Sequence, residues 1–214
     1  MAARKTKQPQ APRSEPKVSH AAVRTVRSFF HPDAANETFG FARFYWLPGK
    51  GVRESIVTRF RKKRRPVEPQ TDEDTAAKVE VLLPRDAHDA YGDVDFLVRH
   101  YEDKLPPDET TAYAQVTLRF PNAANAHHPF ELARAWVRMF FVDTPQGGVP
   151  VVLILHDPRL ACSEAPVHVH ALVLPRRLGR IGWASMASEL ASDGGQETAL
   201  TSWSSFACRE FSKI

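Results

Sequence analysis

The stretch 149–174, VPVVLILHDPRLACSEAPVHVHALVL, decides how this chain folds. It holds two apolar runs, Val149 to Leu155 and Val167 to Leu174, separated by the polar, proline-bounded segment 157–166. The first run is nearly continuous, the pattern of a central strand covered on both faces. Pro150 stands at its beginning, where a missing N–H is tolerated. In the second run alternate residues share a face, so His168 and His170 project together while Val169 points into the opposite layer. An antiparallel pairing of the two runs sets the end of one beside the start of the other, which brings His156 to the same two imidazoles. Three neutral imidazoles of this kind form a facial metal site with open coordination positions. A divalent cation there can polarise a bound phosphate. The plain alternative is a set of histidines that pack or meet solvent. His20, His31, His88, His100, His127 and His128 lack such spacing and read as surface residues; Asp157 reads as the cap of the loop.

Upstream, Val116, Leu118 and Phe120 alternate with Gln115, Thr117 and Arg119, a half-buried strand. Leu132, Ala133, Trp136, Val137 and Phe140 then recur at helical spacing behind Pro129. Phe39 to Leu47 and Lys78 to Leu83 read as strands, with Pro48 to Gly51 ending the first. Val52 to Lys63 is predicted as a short helix carrying Ile56, Val57 and Phe60 on one side, and Asp86 to Lys104 as another. Two C-terminal helices are expected, near Trp183 to Ala191 and Thr201 to Phe211, separated by Gly194-Gly195. The fold class is therefore α+β, an antiparallel central sheet flanked by helices. Residues 1–20 read as a flexible basic arm and 21–214 as a single domain with a linker near 66–76.

The 214 residues suffice for one core, and 43% hydrophobic with 25% charged residues excludes wholesale disorder. No apolar run approaches the roughly 20 residues of a membrane span. The basic start lacks the apolar region of a secretory signal, and Cys162 and Cys208 form no disulfide framework, so a cytoplasmic location is expected. The net charge is only +4, but it is unevenly placed. Arg4, Lys5, Lys7, Arg13 and Lys17 crowd the arm, and Arg59, Arg61, Lys62, Lys63, Arg64 and Arg65 form a second run before acidic Glu68, Asp72, Glu73 and Asp74. Such clusters are either the footprint of phosphate-backbone binding or solvated charge.

The segment PVVLILHDPRLACSEAPVHVHALVLPRR resembles the metal-binding motif of HUH nucleases in the version found in MobA/MobL-type plasmid relaxases. The order of elements from Ala114 to Pro175 matches, except that Val167 separates Pro166 from the first histidine of the pair. A looser similarity covers Phe39 to Arg61. The resemblance implies an HUH-endonuclease-like fold and metal-dependent nicking of single-stranded or origin DNA in plasmid mobilisation or rolling-circle processing, alongside other mobilisation proteins. It implies Mg²⁺ or Mn²⁺ at His156, His168 and His170, whereas nitrogen donors by themselves favour zinc or another late metal. Arg59 to Arg65, Arg176, Arg177 and Arg180 would track the DNA backbone.

The resemblance also implies a nucleophilic tyrosine, and here the sequence departs from it. The corresponding position is Phe60, which has no hydroxyl to attack phosphorus. Tyr45 is the foremost replacement, ahead of Tyr91, Tyr101 and Tyr113. Three further readings stay open. One is a DNA-binding relative without strand chemistry. A second is a histidine-triad nucleotide hydrolase, although Leu172 stands where its third histidine belongs. The third is an α+β domain with incidental histidines.

Overall fold

The computed structural model describes residues 22–67 and 73–211. The expected arm at 1–20 and part of the expected linker lie outside these residues. In chain order the strands are β1 (Val23–Arg24), β2 (Val26–Phe30), β3 (Phe39–Trp46), β4 (Val52–Arg53), β5 (Lys78–Leu82), β6 (Thr111–Phe120), β7 (Val151–His156), β8 (Val167–Val173), β9 (Arg176–Gly179) and β10 (Gly182–Met186). The helices are α1 (Val57–Arg64), α2 (Val94–Lys104), α3 (His127–Val137) and α4 (Asp193–Phe211).

Six strands form one antiparallel sheet in the order β2-β3-β6-β8-β7-β5. The expected pair, β7 and β8, lies in its interior. The sheet is covered on both faces, because its central strands carry apolar side chains in both directions. One face, with Phe39, Phe41, Val116, Leu118, Leu153, Leu155, Val169 and Val173, packs against Phe130, Ala133 and Trp136 of α3 and Trp203 of α4. The other, with Trp46, Tyr113, Val152, Ile154 and Leu172, packs against Ile56, Val57 and Phe60 at α1 and Leu97, Val98 and Tyr101 of α2. The two histidines of β8 belong to this second face.

The helix expected at Val52 begins later. Val52 donates its N–H to the Ala22 carbonyl, and β4 runs parallel to β1 before α1 starts. The first N–H groups of α1 are capped from outside the helix: Ser55 Oγ accepts from Val57, and the Glu102 carboxylate of α2 accepts from Ile56. Beyond α1, Asp95 accepts from Arg61 and from Arg64 (2.9 Å), which ties the other end of the helix to α2. The segment expected as one helix from Asp86 divides into a 3-10 turn (Asp89–Gly92) and α2, whose N-cap Asp93 accepts from the Phe96 N–H at 2.7 Å.

The C-terminal expectation is corrected at two places. Trp183 is in a strand, paired with Leu178 in the β9–β10 hairpin, because its ring is drawn between Tyr91 and Tyr101 while its Nε1 donates to His100. Gly194-Gly195 does not separate helices but begins α4. A Cβ on Gly195 would lie 2.0 Å from the Glu189 carbonyl oxygen, so this glycine answers a close backbone approach rather than a break.

Trp136 is the centre of the first core. It is fully buried, meets Phe39, Phe141 and Trp203 edge-on, and donates to Ser202 Oγ at 3.1 Å. Trp136→Ala is expected to lose about 3–5 kcal/mol of unfolding free energy in urea titrations. Ile181→Ala, at the fully exposed hairpin tip, should change it by less than about 0.5 kcal/mol.

Candidate metal centre

The register of β7 against β8 places His156 directly opposite His168 and Ile154 opposite His170. Cross-strand partners share a face, so the three imidazoles meet over the second face of the sheet. Their ring centroids are 4.8, 4.9 and 5.0 Å apart and their planes lie 77–85° from one another, a three-bladed arrangement. One ligand nitrogen from each lies within 4.8 Å of the others. The connection between the strands is closed by Asp157, which caps the turn at Arg159 and pairs with its guanidinium, as a loop cap does.

The outer hydrogen bonds decide which nitrogens face inward. His156 Nε2 meets the Lys63 carbonyl at 2.7 Å, and His168 Nδ1 meets the Pro166 carbonyl at 3.0 Å. Carbonyls can only accept, so both of these nitrogens carry the proton. His156 Nδ1 and His168 Nε2 are then bare lone pairs, facing each other at 3.1 Å. His170 Nδ1 lies 3.0 Å from Thr117 Oγ1 and 3.4 Å from the Gln115 amide, leaving Nε2 for the centre. The buried Gln115 Oε1 has no partner as placed; half a turn of the amide presents this oxygen to the imidazole and holds the same tautomer. This is the pattern in which a ligand's second nitrogen is fixed by an outer partner.

All three imidazoles are held below the ordinary histidine range, first by burial and then by neighbouring positive charge. His170, 6% exposed, is pushed down to about 2. Protonation is therefore disfavoured just where two lone pairs oppose each other. Three neutral imidazole nitrogens are a donor set for a divalent cation, and the His156–His168 pair, at 3.1 Å, is near the separation that ligands roughly 2.0–2.1 Å from one ion require. Among the described residues the cluster contains no carboxylate, so these three ligands leave such an ion its full charge toward whatever binds its open positions.

Two cations act on the imidazoles. Lys63, at the C-terminal end of α1, acts electrostatically on all three, and Arg119 of β6 on His168 and His170. Burial lowers the Lys63 ammonium from its ordinary value. Among the described residues neither side chain has an ion-pair partner, and the same holds for exposed Lys62. The other basic residues are engaged. Arg59 pairs with Glu54, and Arg61 and Arg64 pair with Asp95. Arg65 also has a partner. Arg177 pairs with Glu189, while Arg176 donates to the Ala184 and Lys104 carbonyls beyond the opposite end of β8.

Tyr45 is not brought to the centre. It lies on the Arg43 face of β3, beside a cavity of about 320 Å³ shared with Phe29, Thr111 and Ala191, on the side of the sheet away from the imidazoles. Leu172 is fully buried in the second core, so no third histidine-like position is exposed there. His100 is not a free surface residue: its Nδ1 accepts from Trp183 at 2.9 Å, and its ring stacks on Phe96. Gln115, Thr117 and Arg119 were legible as the polar side of an alternating strand. What the alternation could not reveal is that this side is covered by α1, which turns a solvent face into the lining of a site.

No protein-family model and no curated protein matches the sequence. Among solved structures, one from a study of the molecular basis of vancomycin resistance transfer in Staphylococcus aureus superposes with a TM-score of 0.58 at 15% identity, over 90% of this chain and 94% of the other. At that identity the likeness is one of fold. The chain has the α+β architecture, an antiparallel sheet flanked by helices, that its histidine-bearing stretch led us to expect.

Proposed function

We propose that this protein is a metal-dependent DNA-processing protein of the MobA/MobL relaxase type, acting on single-stranded or origin DNA during plasmid mobilisation or a related replication step. The observation that carries this reading is the centre itself: three inward lone pairs that, among the described residues, have no carboxylate beside them and feel two cations without an ion-pair partner. A site built to hold a cation alone gains nothing from nearby positive charge. A site built to hold a cation together with a phosphodiester gains from Lys63 and Arg119, which offset the charge of the backbone. His156, His168 and His170 would hold the ion, and its chemistry there is Lewis-acid polarisation of a phosphate oxygen. The fold likeness to a structure from a resistance-transfer study supports the same reading. No helix among the described residues is long and apolar enough to cross a membrane.

Phe60 favours a second reading, a relative that binds metal and DNA without cutting. It is 1% exposed and packed edge-on against Tyr113 at 5.2 Å, so the helix position matched to the family's nucleophile is occupied by a core residue. A nicking assay on supercoiled and single-stranded substrates with Mn²⁺ separates the two readings.

The metal assignment is tested by isothermal titration. Three imidazoles suit zinc or manganese better than oxygen-seeking magnesium. Zn²⁺ and Mn²⁺ are expected to bind with one site per chain and Mg²⁺ at least tenfold more weakly, and His168→Ala/His170→Ala should abolish the site. Unchanged metal content in that variant would remove the reading. The DNA contact is tested by the salt dependence of oligonucleotide binding. Replacing Lys62, Lys63 and Arg119 together by Ala should reduce the slope of log K against log salt by about two. Arg61→Ala, whose side chain is tied to Asp95, should leave that slope within about 0.3 of its original value.

A further inference from the structure

A covalent phosphotyrosine needs a phenol that can reach the phosphate. The sequence contains four tyrosines, and all four are among the described residues. None faces the imidazoles. Gly40 of β3 pairs with Thr117, and Thr117 pairs with His170. Tyr45 lies five residues beyond Gly40, roughly 17 Å along the strand, and on the other face of the sheet. Tyr113 is on the correct face but 2% exposed, stacked flat on Phe44 at 4.2 Å, with its hydroxyl held against Arg59. It is four residues from Thr117, roughly 14 Å along β6. Tyr101 is fully buried beneath Trp183. The Tyr91 hydroxyl meets His100 Nδ1 at 3.1 Å. Among the described residues, Lys63 and Arg119 act electrostatically on the centre, and Thr117 and Gln115 are engaged with His170.

We infer that DNA cleavage at this centre is hydrolytic, with water as the attacking group and no protein–DNA intermediate. This rests on the function proposed above. The water oxygen bonds to phosphorus, and the bond from phosphorus to one sugar oxygen breaks. The water gives up a proton and the departing sugar oxygen takes one up, leaving a phosphomonoester on one end and a hydroxyl on the other. Nothing is oxidised or reduced. Lys63 and Arg119 face the phosphate's added negative charge as the bond forms, a role that does not depend on which nucleophile attacks.

The experiment uses the full chain with Mn²⁺ and circular single-stranded DNA in ¹⁸O-labelled water. The expected result is linear DNA whose terminal phosphate carries one ¹⁸O, with no adduct surviving SDS, and an unchanged rate in Tyr45→Phe. An SDS-stable adduct, or ends without ¹⁸O, overturns the inference. So does the absence of cleavage by chain that titration shows to bind Mn²⁺ and DNA, a result that leaves the metal-and-DNA reading intact. Failure to bind Mn²⁺ overturns both. Without DNA, Mn²⁺ should broaden the ring NMR signals of His168 and His170 and spare those of Tyr45; equal broadening of Tyr45 overturns its placement and with it the inference.

Discussion

The pairing register between β7 and β8 is the constraint on which the rest of this molecule depends. His156 stands opposite His168, and the period of a strand is two, so a slip by one residue would send an imidazole to the other face. The register is strongly specified because both faces are buried. Val151, Leu153 and Leu155 belong to one core, Val152 and Ile154 to the other, and a slip would misplace both sets at once. The packing of two cores therefore protects a geometry that the imidazoles could not hold by their own contacts.

The second requirement is that α1 arrive at a defined place. Its C-terminal carbonyls are among those a helix leaves unpaired, and the one at Lys63 accepts from His156. That single bond orients the ring and selects its tautomer, and it brings to the centre the helix end from which the Lys63 ammonium acts on the imidazoles. The dense arginines of the same helix act mainly on this docking: Arg61 and Arg64 reach Asp95 of α2, while Glu102 of α2 caps the helix start. A run that reads in sequence as a phosphate-binding cluster is thus divided by the fold into anchoring arginines and lysines that have no ion-pair partner among the described residues.

Much of the centre was legible beforehand. The alternation of His168, Val169 and His170, the apolar run ending in His156, and the loop between them by themselves imply the convergence. The polar residues of β6 were visible as well, but their significance was not. Gln115 and Thr117 look like an ordinary solvent face until α1 is seen to cover it. In the C-terminal region local pattern is weak and distant contacts decide. Trp183 is extended on account of Tyr91, Tyr101 and His100, residues some 80 positions away or more, and Gly195 is present because Glu189 comes too close for any side chain. The edge strand Val26–Phe30 had no sequence signal of its own, since Phe29 and Phe30 are adjacent and both largely exposed.

From the amino-acid sequence alone came the strand pair, its covered faces and the three inward histidines, because strand periodicity and apolar continuity are local properties. Only the tertiary structure decided which basic side chains are free, which nitrogens of the imidazoles carry their protons, and where the four tyrosines lie. Those depend on partners distant in the chain: a helix carbonyl at Lys63, an acid at Asp95, and the sheet face on which each phenol is placed. The pattern of a strand shows how its side chains alternate, but the chemistry of a face is set by what packs upon it.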